Sequence, residues 1–176
     1  MASILMVAGE GLPFIKTGGL ADVIGSLPQA LTERGHEVKV VMPLYKKISD
    51  KYYNELHFDC EYSVSINYHE VPVRVFSKVV DNVCFFFIQH QGYFERDSLY
   101  GYQDDGERFG YFQKAVIEML NQLNYWPNII HCHDWHTGMI PCMVKETHDA
   151  DPRYRAIRFV YTIHNMAYQG NFGPEM

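Results

Sequence analysis

The sequence predicts an α/β fold: a mostly parallel sheet with helices on both faces and an antiparallel section added to the parallel core. Three observations predict it. Residues 3–8, 38–43 and 158–163 form short, largely apolar runs, the pattern of strands buried on both faces of a parallel sheet. Segments with apolar residues at helical spacing alternate with such runs. Residues 57–88 break that rhythm with three successive strand-like segments and no helix between them. The 176 residues suit one domain, at roughly 100–200 residues per domain.

The first strand, 3–8, runs into Gly9-Glu10-Gly11-Leu12-Pro13-Phe14-Ile15-Lys16-Thr17-Gly18-Gly19. Four glycines and a proline there predict a loop. Leu20, Val23, Ile24, Leu27 and Leu31 then recur at helical spacing, with Asp22 in the first turn, where the helix dipole favours an acid. Pro28 falls inside this helix and is expected to kink it, and Gly35 is expected to end it. Residues 38–43 return as the next strand. This β-loop-α-β unit is Rossmann-like, with glycines where the helix begins. Free N–H groups and the dipole make such a place an anion site. Gly18 and Gly19 let a phosphate or sugar approach the backbone with no Cβ in the way, and Lys16 can add a full positive charge. The same residues would also serve as a plain tight turn beside a solvated lysine. The spacing matches neither GxGxxG nor GxxxxGK[ST], which counts against dinucleotide oxidoreductases and P-loop NTPases.

Residues 57–67 place Phe58, Cys60, Tyr62, Val64 and Ile66 alternately with polar residues, as in a half-exposed strand. Residues 71–80 form a second strand, in which Pro72 marks an edge or a strand start. Asp81-Asn82 is a turn, and 83–88 is a more deeply buried strand. These three are expected to form the antiparallel section. Residues 92–101 are polar, aromatic and irregular. Tyr100 there could stack on a sugar or hydrogen-bond a hydroxyl, or be an ordinary partly buried tyrosine. Asp104-Asp105-Gly106-Glu107 leads a helix whose one face carries Phe109, Phe112, Val116, Leu120 and Leu123.

Residues 129–132 form a short strand, and His133-Asp134-Trp135-His136 falls at its C-terminal end, ahead of a helix with Met139, Ile140, Met143 and Val144. Strand 158–163 ends in His164-Asn165-Met166-Ala167-Tyr168-Gln169-Gly170. Ligands of open α/β sheets bind at those strand ends. Three chemistries compete for the histidines. A metal could use His131 and His133, which share a strand face, with Asp134 and His136. Nothing matches HExxH or a paired CxxC, so no metal is expected. Imidazoles simply hydrogen-bonded at strand ends are the second reading. The third is polyol recognition, for which Asp, His, Asn and Gln supply donors and acceptors at fixed positions. The residues alone leave the last two open.

Composition narrows the partners. A net charge of −6 is a poor match to a general nucleic-acid binder. No run of about 18 apolar residues exists, so no transmembrane helix is expected. The N-terminus lacks a basic segment and reads as a buried strand, not a signal peptide. Cys60, Cys84, Cys132 and Cys142 form no CxxC, which fits reduced thiols in a cytoplasm.

Glu10, Pro13 and Lys16-Thr17-Gly18-Gly19-Leu20-Ala21-Asp22-Val23 resemble the opening signature of bacterial glycogen synthases and plant starch synthases. Ser26-Leu27-Pro28 and Gly35-His36-Glu37-Val38 continue the likeness, with Gly9 where most members carry Ser. His131-Cys132-His133-Asp134-Trp135-His136 resembles their His-x-His-Asp-Trp-His, and residues 162–170 resemble their Thr-x-His-Asn-x-x-Tyr-Gln-Gly. Residues 92–101 resemble their Phe-Asp-Arg loop, with Ser98 where members often carry Gly. The blocks stand in the family's order across residues 3–173.

The resemblance implies a retaining glucosyltransferase of the two-domain GT-B architecture, moving glucose from ADP-glucose to the non-reducing end of an α-1,4-glucan. It implies that residues 1–176 are a truncated N-terminal Rossmann-like domain, an incomplete N-terminal half. The nucleotide-binding C-terminal half, with its two glutamates seven residues apart, lies outside the sequence. Lys16 would meet the diphosphate, and Gly18 and Gly19 would lie against the donor. Asp134 and His164 would hold the transferred glucose as catalytic residues. Tyr100, His133 and Asn165 would bind substrate. No cofactor, nucleic acid or membrane is implied. The partners would be ADP-glucose, the glucan (glycogen) and the missing half. Without that half, the segment is expected to lack useful activity, and its cleft aromatics Phe14, Tyr100, Trp135 and Tyr168 to be exposed and prone to self-association. A stand-alone carbohydrate- or nucleotide-binding module is the alternative.

Overall fold

A computed structural model describes residues 1–173. Strand β1 (Ser3–Val7) leads through the glycine loop to α1 (Gly19–Thr32) and β2 (Glu37–Pro43). Helix α2 (Lys46–Tyr52) precedes β3 (His57–Ile66), β4 (His69–Val80) and β5 (Val83–Gln89). One turn, α3 (Gln91–Phe94), and an irregular stretch lead to α4 (Asp105–Gln122) and β6 (Ile129–His133). Helices α5 (Ile140–His148) and α6 (Pro152–Arg155) then precede β7 (Arg158–Thr162). The expected elements all form, with ends shifted by a residue or two.

The seven strands lie in the order β3-β4-β5-β2-β1-β6-β7. Five of them, β5-β2-β1-β6-β7, run parallel. Strands β3, β4 and β5 form the expected antiparallel section, and β5 also pairs parallel with β2, so it belongs to the parallel set as well. Burial explains it: Phe85, Phe86, Phe87 and Ile88 are all buried, which requires covering both faces of a central strand. Pro72 lies in the stretch of β4 that pairs with β3 alone, an edge position as expected. Strand β5 ends at Gln89, opposite Arg74, so Pro72 lies past its last β5 partner and its missing N–H costs no bond there. Its carbonyl accepts the Tyr111 hydroxyl at 2.8 Å.

The chain moves from β1 to β2 in one direction along the sheet and from β5 to β6 in the other. Right-handed crossovers therefore place α1 on one face and α4 on the other. The reversal falls between β1 and β6, and a crevice opens there at the carboxyl ends of the strands.

The core is continuous across the sheet, with Leu5, Met6, Val7, Val40, Val41 and Met42 fully buried. Helix α1 continues through the buried Pro28 to Thr32. Phe14 is not a cleft aromatic, contrary to expectation. It is 8% exposed, with its ring edge-on to Phe85 at 5.0 Å and Phe87 at 4.8 Å. Burying it contributes about 1.5–3 kcal/mol and anchors the glycine loop to the sheet. Gly11 lets the same loop lie against α1 and β2: a Cβ there would sit 2.4 Å from Ile24 Cγ2 and 2.8 Å from Met42 Cε.

Candidate functional site

The crevice holds a cavity of about 930 Å³. Its wall comes from the loops after β1, β6 and β7 and from residues 100–105. Gly18, Gly19, Tyr100, Asp134, His164 and Asn165, far apart in sequence, meet there. Lys16 and His133 do not line it.

Glu10 dominates the β1 side. Its side chain is 3% exposed and lines the cavity. One carboxylate oxygen accepts the Thr17 amide at 2.5 Å and the Thr17 hydroxyl at 2.7 Å, and the other accepts the Gly18 amide at 3.1 Å. The protein's own carboxylate thus holds two of the amides offered to an anion in the sequence reading. Gly19, the first residue of α1, stays open, since a Cβ there would meet nothing within 4 Å. Glu10 was legible only as part of the loop signature. An acid between two glycines after a buried strand is the signal that could have marked it.

Lys16 is ion-paired. Its ammonium donates to both oxygens of Asp22 at 2.6 and 2.7 Å, with both side chains about half exposed. Such an exposed pair is worth roughly 0.2–1 kcal/mol, so a multiply charged anion can draw the ammonium away.

On the β6 side the backbone bends sharply at Asp134, whose φ is +56°. A non-glycine residue in that region stores strain of about 1–3 kcal/mol, a feature that concentrates at functional sites. The bend is held by the Asp134 amide donating to the Thr162 carbonyl at 3.0 Å and by the Thr137 hydroxyl donating to the His133 and Asp134 carbonyls. It aims the Asp134 carboxylate at the end of β7, where it accepts the His164 amide at 2.7 Å. Asn165 turns the chain by accepting the Ala167 amide at 2.9 Å.

His133 sits behind this pair, not in the cavity. It is fully buried, and its Nδ1 lies 2.9 Å from His164 Nε2. His133, expected to bind substrate, touches His164. Register explains the placement: His133 pairs with Thr162 on β7, so His164 comes just past it. Burial pushes the His133 imidazole down to about 3, helped by its neighbours His131 and His164, so the ring is neutral. One of the two facing nitrogens then donates and the other accepts, which fixes the His164 ring. His131 lies beneath, with its Nε2 2.7 Å from the Thr162 hydroxyl. Among the described residues, no three His, Cys, Asp or Glu side chains converge to hold a metal ion.

His136 closes the floor. Burial alone pushes it down to about 3, and its ring lies 4.7 Å from Tyr100 and 4.8 Å from Phe109. The Tyr100 hydroxyl is buried near that of Tyr45 and has no hydrogen-bond partner among the described residues, and burial drives it well above the usual phenol range. Trp135 is half-buried against Phe109, whereas Tyr168 is 71% exposed, so of the four expected cleft aromatics only Tyr168 stands free.

Fold and cavity together define a class: an α/β ligand-binding domain whose site opens at the switch point of a parallel sheet. The family model for the starch synthase catalytic domain matches residues 3–176, and the chain belongs to that family. Glycogen synthase of Streptococcus agalactiae serotype III is 46% identical over 173 residues, which are 98% of this chain and 36% of that protein. Glycogen synthase of Clostridium kluyveri is 46% identical over 169 residues, again 36% of its length. The catalytic domain of Starch Synthase IV from Arabidopsis thaliana, solved with ADP and acarbose, matches with a TM-score of 0.84 at 33% identity over 96% of this chain and 35% of that one. Sucrose-phosphate synthase from Thermosynechococcus elongatus, at 12% identity and a TM-score of 0.56, shares the fold. The chain corresponds to the N-terminal part of a GT-B fold and spans about a third of the length of the curated relatives it matches. Among the described residues no helix is long and apolar enough to cross a membrane.

Proposed function

We propose that this chain is the N-terminal part of a glycogen (starch) synthase, which moves glucose from ADP-glucose to the non-reducing end of an α-1,4-glucan with retention. One observation carries the reading. The open N-terminus of α1 at Gly19 and the Asp134–His164 corner share a single cavity, so a phosphate-bearing and a sugar-bearing end of one ligand have places to go. Kinship with the glycogen synthases and the ADP-bound plant structure supports the same donor and acceptor.

In this reading Gly19 lies against the donor, and Lys16 swings from Asp22 to the diphosphate. Asp134 and His164, the catalytic residues proposed here, hold the transferred glucose. Tyr100 and Asn165 complete its binding, and His133 acts from behind through His164. Retaining transfer places positive charge on the glucose as the diphosphate leaves, so it requires cations at the leaving group and a dry, closed cleft. One exposed lysine cannot supply that, and a second half closing over the cavity would. The donor is a substrate, and no separate cofactor, metal, nucleic acid or membrane enters the scheme. The free cysteines suit a cytoplasmic location. Exposed Tyr161, Ile163, Met166 and Tyr168 favour self-association of residues 1–176 alone.

The test is glucan elongation from ADP-glucose by a complete synthase carrying this segment, beside residues 1–176 alone. Activity is expected only from the former. Elongation by residues 1–176 alone would overturn the need for a second half, and a complete protein that binds ADP-glucose but extends no glucan would overturn the transfer reaction.

A further inference from the structure

Arg108 heads the fully buried side chains by size, an unusual place for a guanidinium. Burying that charge is costly unless its donors find acceptors. They do, in three directions. One terminal nitrogen meets the Asp105 carboxylate one turn back on α4. Nε donates to the Tyr93 carbonyl at 2.7 Å, and the other terminal nitrogen donates to the Leu99 carbonyl at 3.3 Å. The second Asp105 oxygen accepts the Gly101 amide at 2.7 Å.

The pair therefore grips the backbone on both sides of Tyr100. Two further ties hold the same segment to the start of α4: Arg96 makes a bidentate bridge to Asp104 at 2.6 and 2.7 Å, and Tyr93 donates to Glu107. Residues 95–104 have no helix or strand of their own. What places the Tyr100 ring against His136 in the cavity wall is this set of bonds.

We propose that the buried Arg108–Asp105 pair is a clamp that fixes residues 93–101 and thereby sets Tyr100 in the wall of the ligand cavity. Arg108, which does not line the cavity, is a positioning residue that acts through Tyr100, whereas Asp105 holds Arg108 and also lines the cavity itself. The choice of arginine follows from its planar fork, which reaches three acceptors at once, whereas a lysine ammonium is a single point. The clamp itself is independent of the glucosyl-transfer reading. Only the identity of the ligand that feels it rests on that reading.

Stability and positioning can be separated, because replacing both members of a buried ion pair by leucine leaves no orphaned charge. The variants are Arg108→Leu with Asp105→Leu, Arg108→Lys as the milder change, and each again with Tyr100→Ala. They would be made in a complete synthase and read by hydrogen exchange and by KM and kcat for ADP-glucose and for a maltooligosaccharide. Amides of residues 93–101 should exchange at least about tenfold faster while those of β1 and β6 hold their rates. For Arg108→Lys, which leaves the cavity lining unchanged, KM should rise about tenfold with a smaller change in kcat, and should move less than about twofold when Tyr100 is already alanine. Unchanged exchange in 93–101, equal acceleration throughout the sheet, or a KM effect that persists without Tyr100 would each overturn the clamp. Faster local exchange in a protein whose parent neither binds nor uses ADP-glucose would uphold the clamp and refute the transferase reading.

Discussion

Acidification from pH 7 to pH 5 should destabilise this protein through two histidines. His133 and His136 are 0% and 6% exposed, and burial holds each at about 3 in the folded state. In the unfolded chain each returns to about 6.5. Below that value the unfolded state binds protons that the folded state refuses, so stability falls as pH falls, over the window from about 6.5 to 3. At pH 5 each ring contributes a loss of about 2 kcal/mol, or about 4 kcal/mol together, a large part of a typical 5–15 kcal/mol. The loss continues toward pH 3, because among the described residues no carboxylate bonds to either ring to stabilise its cation. Urea unfolding followed by circular dichroism from pH 7.5 to 4.5 gives the slope, and His133→Asn with His136→Asn should flatten it. A free energy that stays level between pH 7 and 5, or ring signals of both histidines titrating near 6.5, would refute the reasoning.

Three other outcomes are expected. Lys16→Ala should change stability by no more than about 1 kcal/mol, because its partner Asp22 is half exposed, yet weaken ADP-glucose handling by about 1.5–3 kcal/mol in a complete synthase. Unchanged rate and KM would mean that the glycine loop is architecture only. Glu10→Gln swaps a charged acceptor of three hydrogen bonds for an amide and should cost about 1–3 kcal/mol in urea unfolding, with faster exchange at the Thr17 and Gly18 amides. Gly11→Ala should cost about 1–3 kcal/mol in thermal or urea melts, because the new methyl meets Ile24 at 2.4 Å and Met42 at 2.8 Å.

Much of the site could be read from local pattern. Glycines at a helix start and polar residues just past buried strands mark ligand-facing positions in any parallel sheet, and Gly18, Gly19, Asp134, His164 and Asn165, which line the cavity, all stand at such positions. Burial depth was harder. His133 and Asp134 are neighbours at one strand end, and their local pattern does not say that Asp134 lines the cavity while His133 turns inward to His164. Phe14 looked like a cleft residue because its loop borders the cleft, but its ring turns back to the β5 phenylalanines.

The sequence by itself determined the element types, their order and the class of site, because periodicity, glycine placement and strand-end chemistry act over a few residues. Tertiary structure alone decided that β5 joins the parallel set, that Glu10 takes the loop amides, and that Arg108 grips a loop up to 15 residues back along the chain. Those outcomes turn on which buried charge or amide finds which partner. That choice follows from desolvation in a packed interior, which no window of neighbouring residues contains.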